Sequence, residues 1–310
     1  MTRTWVAKAA ALGLGLLALA ACDLPTGANR PEPPSVTPPT VSEKSQSLRN
    51  YYAALQADEL ARGLLRTDGG GPDTPYTADM LARNFERIAF YGEYAEGANL
   101  QKPGGQSGGL RRWAKPVRFH AEFGASVPDA MRTQDLADIR AYASRLAAAT
   151  GHSISYSGIG ANFHVLVMSE DDKDQLTTRI RQLVPNADPR SAALLRDLPR
   201  SIQCIVMTTS DPANPYEYTA AVAVVRAEHP DLLRKSCYHE EMAQGLGLAN
   251  DSPNARPSIF NDDDEFALLT THDEALLAML YDPRLSIGMP LDQARPILSI
   301  LAREQTGQAF

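Results

Sequence analysis

Residues 237–251 read CYHEEMAQGLGLAND, a helix-compatible run dense in side chains that can hold a metal or move a proton. A helix that activates water at a metal places two ligands one turn apart, at i and i+4. A glutamate beside the first ligand is the general base. Counting from His239 breaks that pattern, because Ala243 stands at i+4 and Leu246 at i+7. Counting from Glu240 restores it: Glu240, Glu241, Gln244, Gly247 and Asn250 fall at i, i+1, i+4, i+7 and i+10. In that register Glu240, Gln244 and Asn250, with His239 beside them, would surround one divalent ion and Glu241 would be the base. Zinc prefers Cys, His and carboxylate, and neutral amides are poor ligands for it. The set therefore suits zinc badly; it suits a harder, oxygen-preferring ion, or no ion. An amphipathic helix with carboxylates in its first turns and a glycine at its end would produce the same run for purely structural reasons.

Other candidates carry weaker spacing. His239 either joins the carboxylates at a metal or hydrogen-bonds at the helix start, and the second reading is favoured. The run Asn261-Asp262-Asp263-Asp264-Glu265 lacks the glycine and alternation of an EF-hand loop. It is expected to cap the next helix, to bind calcium, or to bring carboxylates toward Glu240 and Glu241. His272-Asp273 reads as a capped helix start, and His164 as a core histidine within a strand. His120, His152 and His229 carry no spacing signal. Nucleophile-elbow, Ser-x-x-Lys and phosphate-cradling glycine motifs are absent from the sequence.

These residues must be positioned by a fold, and the chain has the composition for one: 310 residues, 44% hydrophobic and 22% charged. The net charge of −7, with no basic run, argues against nucleic acid as a partner. The N-terminus begins with Arg3 and Lys8 and continues in an apolar run over 9–21, too short for an ordinary membrane-spanning helix. The run ends in Leu-Ala-Ala-Cys22, which resembles the bacterial lipobox. That resemblance implies cleavage before Cys22, acylation of that residue, and an exported protein on the periplasmic face of a cell-envelope membrane. Cys204 and Cys237 then remain, and in an oxidising compartment a disulfide is the expected outcome, two buried thiols being the alternative.

Residues 22–47, rich in Pro, Thr and Ser, are expected to be an extended tether. Helical spacing follows over 48–66 and 77–93, within a helical region running to residue 112. From residue 113 strand patterns (115–123, 161–169, 201–209, 218–228) mix with helices at 133–150, 173–197, 232–248, 273–281 and 291–304. This is an α+β layout with a small sheet.

The stretch from about Trp113 to Met289 resembles an uncharacterised family of exported bacterial proteins on three strings: Cys237–Asp251, Ser258–Thr270 and Leu280–Leu285. It also resembles zincins, whose extended ligand frame matches Glu240 to Asn250 with every histidine replaced. The zincin resemblance implies a zincin-like domain over 113–310, with AAVAVVRAE (220–228) as the substrate-binding edge strand and Met289 in a Met-turn. Three functions follow as expectations: a metal-dependent peptidase using one divalent ion, an inactive descendant that binds a peptide or envelope protein, or a structural envelope lipoprotein.

Overall fold

The computed structural model describes residues 41–92, 107–186, 189–261 and 263–308. The signal segment, Cys22, most of the tether and Asp262 lie outside the described residues. Where the tether was expected to continue to residue 47, a helix already begins at Glu43. Ser42 accepts a hydrogen bond from the Ser45 amide and caps it, which a Pro-rich reading of the composition overlooks.

Two helices come first, α1 (Glu43–Ala61) and α2 (Ala78–Phe90). Then follow β1 (Val117–Phe123), α3 (Asp129–Thr150), β2 (Ile154–Tyr156), β3 (Phe163–Met168), α4 (Lys173–Leu183) and α5 (Pro189–Arg196). The chain continues with β4 (Cys204–Asp211), β5 (Asn214–Arg226), α6 (Asp231–Gln244), α7 (Thr271–Leu280) and α8 (Leu291–Thr306). No helix among the described residues is long and apolar enough to cross a membrane.

The five strands form one mixed sheet in the order β2-β1-β3-β5-β4. The pairs β2–β1, β1–β3 and β3–β5 are parallel, and β4 returns antiparallel against β5 as a hairpin. The strand expected at the edge, β5, is therefore internal. Its continuous apolar run Ala220–Val225 is what a strand covered on both faces requires. On this side the edge strand is β4, half-buried along almost its whole length; β2 forms the other edge.

Alternation sorts the side chains between two layers. Phe119, Phe163, Val165, Val167, Ala221 and Ala223 face a large core completed by α2, α3, α6, α7 and α8. Leu166, Met168, Val222 and Val224 face the other side, where Leu176 and Ile180 of α4 and Leu195 of α5 cover them. The apolar face of α2, carrying Leu81, Phe85 and Ile88, belongs to the large core. Helix α1 bridges outward elements: Tyr52 donates to the Arg200 carbonyl at 2.9 Å, and Gln56 accepts from the Leu233 amide at the start of α6 at 3.0 Å.

Candidate functional site

Helix α6 is held on three sides. Toward α3, the Arg234 guanidinium makes a buried fork–fork pair with Asp135 at 2.8 and 2.9 Å, and Lys235 reaches Asp138 at 2.9 Å. Toward the sheet edge, the Cys204–Cys237 disulfide ties the first residue of β4 to the second turn of the helix. The expected bridge is formed. Toward the loop before α7, His239 accepts the Leu269 amide on Nδ1 at 2.9 Å.

The sequence-selected residues divide by direction. His239 is buried, and its ring stacks on Tyr142 with centroids 3.9 Å apart. Burial pushes its pKa down to about 3, with Arg145 and Lys235 adding to the shift, so it stays neutral. Its Nδ1 is occupied by the Leu269 N–H from the loop before α7, well past the helix start where a hydrogen bond was expected. Glu240 and Glu241 point the other way: a carboxylate oxygen of each and Cys204 Sγ all lie within 4.8 Å of one another. Glu241 is buried, and Glu240 is half-buried.

Gln244 and Asn250 use their amide nitrogens on the protein itself. Gln244 Nε2 donates to Asp251 Oδ1 at 3.2 Å. Asn250 Nδ2 donates to the carbonyls of Arg87 and Asp251 at 3.0 and 2.9 Å. Glycine at i+7 is required by geometry, because Gly247 has φ +131° and a Cβ there would stand 2.4 Å from the Arg111 carbonyl oxygen. The helix ends at Gln244, earlier than its sequence pattern suggests, and this glycine turns the chain.

Met289 is partly buried and packs against the large core. Its turn is zipped to the segment before Trp113: Gly288 donates to the Leu110 carbonyl at 2.8 Å and Leu110 to the Met289 carbonyl at 3.0 Å. Within the acidic run, Glu265 is engaged with two arginines, Arg66 and Arg256. Helix α7 is capped by Thr270 and Asp273 rather than by residues 261–265. The expected capped start at His272-Asp273 is present as a capping box.

Sequence reasoning missed three supports. Trp113 donates its indole N–H to the Gly245 carbonyl at 2.8 Å. Arg112 gathers the carbonyls of Leu280, Asp282 and Leu285, which holds the Leu280–Leu285 string in place. Cys204 sits beside the glutamates, and the bridge to Cys237, three and four residues before them, was the signal that could have placed it there.

The donor set does not fit a zinc hydrolase. Histidine supplies no ligand, two of the frame positions donate through amides, and the one sulfur beside the carboxylates is spent in a disulfide and is not a thiolate.

A model of the family described as "Protein of unknown function (DUF2927)" matches residues 78–300. The chain belongs to that family. No curated protein and no solved structure matches it. The DUF2927 match runs from the first residue of α2 into α8, so it covers the whole sheet, α6 and the loops that hold it, and leaves out α1.

Proposed function

We propose that this DUF2927 protein is an exported lipoprotein, anchored through Cys22, whose zincin-like domain holds an extended peptide along β4 without hydrolysing it. The observation that carries the reading is the direction of the frame residues. Gly247 keeps the turn that the zincin spacing demands, while the Gln244 and Asn250 amides bond to acceptors within the chain and His239 faces the core.

Three further features support it. The sheet is mixed with a single antiparallel strand at its edge, and the helix with the ligand-like spacing follows directly on the neighbouring strand. β4 pairs on one side only among the described residues, and an unpaired strand edge is a template for main-chain hydrogen bonds from an added strand. The disulfide suits the oxidising compartment that the lipobox-like segment implies. The partner would be an extended stretch of an envelope protein.

A second reading, a metal-dependent peptidase with Glu241 as base, is favoured only by the close approach of the Glu240 and Glu241 carboxylates. Hydrogen exchange of residues 204–211 with and without an excess of a random extended-peptide library tests the binding. Slowed exchange confined to β4 supports the proposal; unchanged exchange at saturating peptide overturns it.

A further inference from the structure

A second cluster lies on the opposite face of the sheet from most of the core, and the function proposed above makes no use of it. His120 of β1 and His164 of β3 are directly paired in the parallel register. Their neighbours Phe119, Ala121, Phe163 and Val165 point into the large core, so the two imidazoles project together from the other face. Their ring centroids are 6.2 Å apart. Both rings are only partly buried. The loop beside them carries Ile159, which is 88% exposed.

One of these rings is oriented by a built support. His164 Nδ1 meets Glu122 Oε1 at 2.8 Å, and Arg179 of α4 grips the same carboxylate with two hydrogen bonds of 2.6 and 2.8 Å. Paired with the Arg179 guanidinium, the carboxylate faces His164 Nδ1, which directs the ring's Nε2 away from it. This carboxylate–imidazole pairing is the usual outer-shell support of a metal-ligating histidine. His120 completes the arrangement differently, since its Nδ1 is shut from solvent and has no hydrogen-bond partner.

We propose that His120 and His164 form a binding site for a late first-row divalent ion, copper(II) in preference to zinc, with Glu122 as a positioning residue. Imidazole suits these metals, and affinity rises to copper in the series. With metal–nitrogen bonds of about 2.0–2.1 Å, two imidazoles on adjacent positions of a tetragonal copper(II) ion have centroids about 4.5 Å apart. From 6.2 Å the pair must close by about 1.7 Å, a movement that falls to the His120 ring because Glu122 holds His164. Glu122 is committed to Arg179 and His164, so water would fill the remaining positions.

The test is a titration of the whole protein, purified without a metal-affinity step, with copper(II) and with zinc. It is followed by calorimetry and, for copper, by electron paramagnetic resonance. Expected are one equivalent of copper with superhyperfine splitting from two nitrogens, and at least a tenfold loss of affinity in His120→Gln and in His164→Gln. Glu122→Gln should cost about 10–100-fold, the usual effect of losing such a support. Glu240→Ala should bind copper as the parent does, which separates this site from the α6 carboxylates. The resonance spectrum of the parent stands by itself if a variant fails to fold. An adventitious ion only, seen as several weak equivalents without two-nitrogen coupling, or unchanged affinity in a folded His120→Gln, would overturn the proposal.

Discussion

Tyr142 lies flat on His239, and its hydroxyl donates to the His239 backbone carbonyl at 2.7 Å. A residue of α3 thereby fixes the position in α6 that most resembles a metal ligand, and fixes it as core. His239→Ala should therefore remove a stack and strand the Leu269 amide, which costs about 2–4 kcal/mol, the order expected for a buried, unsatisfied donor plus a lost large side chain. Chemical denaturation checks this.

The same residue sets an acid limit. His239 is neutral in the fold with a pKa of about 3, whereas in the unfolded chain it protonates near the ordinary 6.5. Its stabilising contribution is complete above 6.5 and is lost as pH falls toward 3, at no more than about 1.4 kcal/mol per pH unit. Denaturation midpoints between pH 7 and 4 should fall less steeply in His239→Gln than in the parent.

Glu59, buried in α1 near Asp264, works in the opposite direction. Burial first, and Asp264 second, push its pKa up to about 7 from 4.5. Its carboxyl is accommodated as the acid, so the favourable state is fully present below pH 4.5 and is lost as pH rises through 7, by up to about 3 kcal/mol. Glu59→Gln should raise the melting temperature at pH 8 and leave it nearly unchanged at pH 4.5. A lower melting temperature at pH 8 would contradict the burial of an unpaired carboxyl.

The Cys204–Cys237 bridge closes a loop with a sequence separation of 33. Chain-entropy reasoning for a loop of that size gives about 3–4 kcal/mol. The Cys204→Ser/Cys237→Ser double variant should be destabilised by that order in urea, and its β4 amides should exchange faster than those of β3. Equal exchange in the two strands would show that the hairpin with β5 alone holds the edge.

Gly247→Ala should be among the most damaging single-methyl substitutions in the chain. The added Cβ would meet the Arg111 carbonyl at 2.4 Å, and the backbone sits at φ +131°. A loss of more than about 2 kcal/mol is expected, since strained backbone and a clash with main chain combine. Thermal unfolding reads it directly.

Much of this was legible along the chain. Amphipathic period gave away α2 and α3, and the near-continuous apolar run of β3 is that of a strand covered on both faces. The spacing from Glu240 to Asn250 singled out Gly247 before its backbone angle was known. What local pattern could not reveal was pairing. β4 and β5 are both apolar runs, and only their partners make one an edge and the other internal. Three-residue β2 is too short to leave a period. The orientation of His239 depends on Tyr142, ninety-seven residues earlier, and on Leu269, thirty residues later. The His120–His164 pair likewise exists only because β1 and β3 align in that register.

The central claim is that the edge of this sheet holds a peptide and the α6 glutamates do not cut it. Mass spectrometry of a random peptide library recovered from the protein, with zinc and manganese supplied, tests it most directly. The account predicts captured peptides of intact length, identical in the parent and in Glu241→Gln. Captured peptides with new termini, absent when Glu241→Gln is used, would contradict it and make Glu241 a general base.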